Sequence, residues 1–181
     1  MKLTSGKLTS LGQIMQLAYV PADLDAAVAH WTRTVGAGPF FHIPNVQDHL
    51  LSARYRGVEA DIRFSVTLGY WGDMQIEFIR QDNDTPSIYT EWRAAGLEGL
   101  HHVCILVDDM AHARKVVAQS GAEIVQEIFL EGGEAIYVDT GGGPGTMIEM
   151  YQAPPGRDQG YAAMREAARD WDGSDPFRMM G

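Results

Sequence analysis

A segment near the start of the chain recurs, in register, past its middle. Gln16-Leu17-Ala18-Tyr19-Val20 precedes Asp23 and a helical pattern, and His102-Val103-Cys104-Ile105-Leu106 precedes Asp109 and another. Each residue of the second set lies 86 positions after its counterpart. Such self-similarity predicts two copies of one supersecondary unit stacked on a shared core. In each copy the half-apolar run reads as a strand and the aspartate as a helix N-cap. Leu24, Ala27, Val28 and Trp31 then fall at helical spacing in the first copy, and Met110 to Ser120 reads as the helix of the second. Successive strand residues face opposite sides, so His101 and His102 cannot both look into one cavity. A lone histidine in an apolar strand is ordinarily a satisfied core residue; the repeat is what makes this pair notable.

The remainder of each copy reads as strands. In the first, these are 40–44, 50–56, 60–70 (with Ile62, Phe64, Val66 and Leu68 on one face) and 74–79. In the second they are 122–130, 135–140 and 146–151. Each copy closes on a run holding one carboxylate: Met74-Gln75-Ile76-Glu77-Phe78 and Thr146-Met147-Ile148-Glu149-Met150. A carboxylate inside an apolar strand is costly unless it is paired or bound to a metal. The run Gly141-Gly142-Gly143-Pro144-Gly145 lacks the Lys-Ser/Thr of a phosphate loop and opens no helix, so it reads as a turn. The expected organisation is one domain over 1–152, made of modules 13–80 and 99–152 joined by a linker, 81–98, that carries a short helix at 87–95. Residues 1–11 form a polar lead, and 153–181 a C-terminal helix and polar tail.

Composition narrows the function classes. With 45% hydrophobic and 21% charged residues the 181-residue chain can bury a sizeable core. A net charge of -10 argues against nucleic acid or an anionic membrane surface as partner. The single cysteine, Cys104, sits mid-strand and reads as a small buried hydrophobe. The first residues lack the apolar core of a signal peptide, and no run approaches a membrane span, so a cytoplasmic location is expected. Sheet edges invite pairing, which predicts a homodimer.

Two tandem βαβββ modules, each with a polar residue on its first strand and a carboxylate on its last, resemble the vicinal oxygen chelate superfamily. Its members include glyoxalase I, methylmalonyl-CoA epimerase, the extradiol dioxygenases and the bleomycin-resistance proteins. The resemblance spans roughly residues 13–152 and is most specific at Gly99-Leu100-His101-His102-Val103-Cys104-Ile105-Leu106-Val107-Asp108-Asp109. It implies an α+β fold in which eight strands form a cupped sheet around a divalent metal ion (Zn, Ni, Co, Mn or Mg). The family's ligand positions fall on Gln16, Glu77, His102 and Glu149, a set similar to the zinc site of eukaryotic-type glyoxalase I. His101 is then expected outside the ligand shell, with His101→Ala leaving metal content largely intact. Where that glyoxalase carries arginine for glutathione this chain has Val20 and Glu98, and an extradiol triad would need a second histidine.

One imidazole and three oxygen donors make a mostly hard site that leaves coordination positions for substrate oxygens. The implied activity is that of a metal-dependent lyase or isomerase moving a proton next to a carbonyl of a small oxo or acyl substrate. Glu149 is the candidate base, and Glu77 its symmetry-related counterpart. A non-catalytic small-molecule binder of the bleomycin-resistance kind is the alternative. His30, His42, His49 and His112 are expected at the surface. Trp31, Phe40, Phe41, Trp71 and Trp92 are expected in the core, with Phe40, Phe41 or Trp71 able to line the cup.

Overall fold

The alternating runs assemble, in a computed structural model describing residues 6–180, into one mixed sheet of eleven strands with four helices. Residues 1–5 of the polar lead and Gly181 at the end of the tail lie outside the described residues. The first module supplies β1 (Ile14–Tyr19), α1 (Leu24–His30), β2 (Phe40–Ile43), β5 (Phe64–Trp71) and β6 (Met74–Gln81). Between β2 and β5 the chain makes a hairpin of β3 (Leu50–Tyr55) and β4 (Val58–Glu59). After α2 (Ile88–Ala94) the second module runs β7 (Leu100–Leu106), α3 (Met110–Ser120), β8 (Glu123–Leu130), β9 (Gly133–Asp139) and β10 (Met147–Gln152). The chain ends with α4 (Arg157–Arg169) and β11 (Phe177–Met179).

Strand order makes the repeat visible. The eight central strands run β2-β5-β6-β1-β7-β10-β9-β8, each half reading outward from its first strand. β1 and β7 pair antiparallel at the centre, and each pairs parallel with the last strand of its own module. The helix starts repeat too: Asp23 Oδ1 accepts the Ala26 N–H and Asp109 Oδ1 the His112 N–H, both at 2.9 Å. Both caps satisfy a helix N–H that would otherwise lack a partner.

Helices cover the outer face and one end of the cup. α1 packs Val28 on Phe40, Ile76 and Phe78. α3 packs Met110, Ala113 and Val117 on Ile105, Ile136 and Met150. The linker helix α2 turns Ile88, Tyr89 and Trp92 into the inner cluster with Ala18, Val20 and Tyr137. No helix among the described residues is long and apolar enough to cross a membrane.

Four local expectations are corrected. Residues 60–63 are irregular, and β5 starts only at Phe64. The 50–55 strand does not join its own module but pairs antiparallel with β8 of the second, placing Ala53 opposite Ile128. Alternation says that a segment is a strand but not which edge it will find. The tail is not merely polar: β11 pairs parallel with β2, and Phe177 stacks on His42. His42 is accordingly buried on β2, with Nδ1 2.8 Å from Thr67 Oγ1, rather than at the surface. β11 and β3 therefore occupy both free edges of the eight-stranded core, leaving only two- and three-residue strands outermost. Short edge strands are a common defence against edge pairing, so the argument for a homodimer from bare edges loses its premise.

Two glycines test the packing. A Cβ on Gly69 would lie 2.6 Å from the ring of Phe40, itself wedged against Phe78. Gly69→Ala should destabilise by about 1–3 kcal/mol through overpacking. Gly160 lies within α4 with open space around its Cβ position. Gly160→Ala should stabilise by about 0.5–1 kcal/mol. Urea midpoints of both variants against wild type check the opposite signs.

Candidate metal centre

Four neighbouring strands, in the order β6, β1, β7, β10, carry the candidate residues on one face. On one rung Ala18 stands between Glu77 and His102. On the next, Gln16 and Cys104 stand between Gln75 and Glu149. Adjacent strands are ~4.8 Å apart, so Glu77 and His102 start two strands apart and meet over a methyl group. His102 Nε2 lies 3.8 Å from Glu77 Oε2 and 3.2 Å from Glu149 Oε2. One donor atom of each of the three residues lies within 4.8 Å of the others. All three are buried, with exposures of 9% for Glu77, 0% for His102 and 7% for Glu149. Among the described residues no lysine or arginine forms an ion pair with either carboxylate.

Gln16 borders the same cavity, of about 550 Å³, as Glu77 and Glu149. Its Nε2 donates to Gln75 Oε1 at 2.7 Å, and Gln75 Nε2 donates to Tyr70 Oη at 2.8 Å. The relay holds the amide with its oxygen as the remaining acceptor. Glu77, His102 and Glu149 thus converge, and Gln16 stands beside them with an oriented carboxamide.

His101 faces the other way, between Tyr89 and Trp92 of α2. Burial, then the neighbouring His102, push its pKa down to about 3, so it is neutral. Its Nε2 lies 3.3 Å from the Ile88 carbonyl oxygen and so carries the hydrogen. Its Nδ1 then accepts from His102 Nδ1 at 2.9 Å. In that network neutral His102 turns the bare lone pair of Nε2 toward two carboxylates. A lone pair 3.2 Å from a carboxylate oxygen is repulsive unless positive charge lies between them.

That charge is either a proton or a cation, and the donor set fits a divalent ion. Ligand atoms at ~2.1 Å from an ion stand roughly 3.0–3.4 Å apart. The His102–Glu149 separation of 3.2 Å lies in that range, and the His102–Glu77 separation of 3.8 Å is somewhat wider. Without an ion, burial and then the charge of Glu149 push the Glu77 carboxyl well above its ordinary range. Burial likewise pushes up Cys104, which lines the cavity between the carboxylates and stays a thiol. Glu77, His102 and Glu149 could hold the ion, with Gln16 as a further oxygen donor. All four come from one chain, so the site needs no second copy to complete it.

Other expectations fare unevenly. His49 is exposed and sits on the cavity's rim, while His30 and His112 are exposed elsewhere. None of Phe40, Phe41 and Trp71 lines the cavity. Its apolar wall includes Phe64, Val66, Leu68 and Ile128 instead. Tyr137, Tyr151, Arg157 and Tyr161 also border it, and sequence reasoning missed all four. Tyr151 could have been found by alternation from Glu149, whereas Tyr137 stands opposite Glu149 on β9, a pairing that alternation does not give. Arg157 and Tyr161 lie beyond the repeat and carried no such signal.

The sequence profile of the Glyoxalase/Bleomycin resistance protein/Dioxygenase superfamily matches residues 15–138. The chain belongs to that superfamily. No curated protein sequence matches the chain significantly. Among solved structures it is similar to a selenomethionine form of methylmalonyl-CoA epimerase, at 19% identity and TM-score 0.52, covering 80% of this chain and 97% of that one. A methylmalonyl-CoA epimerase in complex with methylmalonyl-CoA and NH4+ aligns at 16% identity and TM-score 0.55, covering 80% and 96%. The methylmalonyl-CoA epimerase of Mycobacterium tuberculosis aligns at 15% identity and TM-score 0.56, covering 88% and 97%. At such identities the likeness establishes the shared superfamily fold.

The site makes two measurable demands. Glu77 is raised in the fold above its ordinary value of 4.5, so the folded chain retains a proton that the unfolded chain releases. Its contribution to the stability of metal-free protein is full below that value and is lost as pH rises through the raised one. Glu77→Gln should flatten this fall, and a saturating divalent ion should reverse it, because the ion binds the deprotonated ligands; thermal unfolding across pH reads both. His101 orients His102, so His101→Ala should weaken divalent-ion affinity by the ~10–100-fold typical of partners that orient a ligand. Competitive chelator titration measures this, and a large loss corrects the expectation that metal content stays largely intact.

Proposed function

We propose that the protein is a divalent-metal-dependent lyase or isomerase, epimerase-like in its chemistry, that moves a proton next to a carbonyl of a small oxo or acyl substrate. The observation carrying this reading is the meeting of Glu77, His102 and Glu149 beside a cavity that both carboxylates border, with no lysine or arginine among the described residues in an ion pair with either. An ion bound to this set would supply Lewis-acid stabilisation of negative charge developing on the substrate's carbonyl oxygen.

The chain's own residues do the rest. Glu149 takes the proton from the carbon beside the carbonyl, and the C–H electron pair moves toward the carbonyl oxygen as the enolate forms. The abstracted proton passes from the base to solvent; delivery of a solvent-derived hydrogen to the same face of the carbon gives exchange, and delivery to the opposite face gives epimerisation. Glu77 stands on the other side of His102 and is the second candidate base, as the repeat would suggest. Gln16, held by Gln75, offers its oxygen at the edge of the set. Tyr137 accepts a hydrogen bond from Tyr89 at 3.1 Å, which leaves its own hydroxyl hydrogen free to donate into the cavity. The apolar wall of Phe64, Val66 and Leu68 excludes water from the enolate.

Metal analysis and isotope exchange test this together. Protein purified without added metal should carry about one divalent ion per chain. Wild type should exchange the carbonyl-adjacent hydrogen of at least one 2-oxo or acyl-thioester compound in deuterated water, followed by NMR. Glu149→Gln keeps an oxygen donor and removes the proton acceptor, so it should retain the ion while exchange falls ~10²–10⁴-fold. Equal exchange by both proteins would transfer the role to Glu77. Binding without exchange by wild type would favour the non-catalytic binder.

A further inference from the structure

The cavity has a single fixed cation. Among the described residues lining it, Arg157 is the one lysine or arginine, facing a cavity that also holds Asp48, Glu77 and Glu149. Arg157 is half-buried at the start of α4 and forms no ion pair with a described carboxylate; Arg33, Arg54, Arg93 and Arg165 form none either, but none of these four lines the cavity. Its charge reaches the phenols of Tyr151 and Tyr161, which burial pushes up and Arg157 pulls back. A guanidinium with two phenols beside it is a planar, donor-rich surface, and it opens on the substrate space.

Its place relative to the chemistry follows from β10. Tyr151 is two residues beyond Glu149 and on the same face, or about 7 Å along the strand at ~3.3 Å per residue. The wall alongside is apolar. We infer that the substrate carries a carboxylate at the end remote from its reacting carbonyl, and that Arg157 binds it. The inference rests on the reading that the carbonyl lies at Glu77, His102 and Glu149. A carboxylate suits the position because one guanidinium balances one negative charge and matches the two oxygens bidentately. A phosphate dianion would leave excess negative charge in a cavity that already holds three carboxylates. α4, which lies outside the repeat, is then the element that selects the substrate.

The test compares two six-carbon acids with the same skeleton, 2-oxoadipate and 2-oxohexanoate, which differ in the distal carboxylate. Each is titrated calorimetrically into protein carrying one equivalent of Mn²⁺. Wild type should bind 2-oxoadipate at least ~10-fold tighter, the tenfold being ~1.4 kcal/mol. Arg157→Gln should abolish that preference while shifting 2-oxohexanoate less than about twofold, and Arg157→Lys should keep part of the preference, since the charge remains and the fork is lost. Equal affinities in wild type, binding of neither acid, or an unchanged preference in Arg157→Gln would overturn the inference. Repeating the titration on metal-free protein separates this from the proposed chemistry. An Arg157-dependent preference that survives without the ion, in a protein that exchanges no substrate hydrogen, would sink the metal-dependent reading and leave the carboxylate site standing.

Discussion

The contact on which the candidate site depends is the hydrogen bond between two adjacent histidine rings. His101 and His102 leave opposite faces of β7, yet their Nδ1 atoms lie 2.9 Å apart. A carbonyl of α2 fixes the hydrogen on His101, and His101 fixes the hydrogen on His102. The lone pair that could ligate an ion is thus aimed by a helix in the linker. That helix is held in its turn: Ser87 and Thr90 form a reciprocal capping box, and Gln126 Oε1 accepts the Ile88 N–H at 3.2 Å. The segment joining the modules is therefore part of the site's support as well as a connection.

The second requirement is spacing across the sheet. Donor-type residues alternate with small ones: Ala18 separates Glu77 from His102, and Cys104 separates Gln16 from Glu149. A larger side chain at Ala18, which has no exposed surface, would stand between Glu77 and His102. The antiparallel β1–β7 pairing makes this work for both modules at once. It sets equivalent strands of the repeat side by side, so residues that are far apart in sequence share two rungs. The burial of two carboxylates is then a product of register, and the energetic demand for a positive charge between them follows from it.

How far the sequence could be read follows from what each signal encodes. The repeat register carried β1, β7 and both aspartate caps, because strand period and capping chemistry are local, while the family resemblance named the residues that meet. Pairing partners are not local. The 50–55 strand looked like part of its own module and crossed to β8, and the Phe177–Met179 strand had too few residues to announce itself. His42 was misread for that reason: its burial comes from Phe177, contributed by the far end of the chain. The role of His101 was hidden differently. Alternation correctly turned it away from the cavity, but a face assignment says nothing about ring nitrogens meeting around the strand.

The two halves and the additions to them serve different ends. Positions in the repeat are tied to strand register, where moving one residue flips every side chain to the other face. They can hold a donor set precisely and have little freedom to vary around it. The β3–β4 hairpin and the α4–β11 segment lie outside that constraint. They cover the sheet's edges and border the cavity from its rim, the hairpin with Leu50 and the turn Val46–His49 that leads into it with Asp48, and α4 with Arg157 and Tyr161. A chain with net charge -10 can thus present a lone guanidinium to a small anion, because local placement rather than total charge decides what a cavity of a few hundred cubic ångströms will accept. On the proposed reading the repeat supplies the donor set, and the added segments supply the surface that would select a substrate.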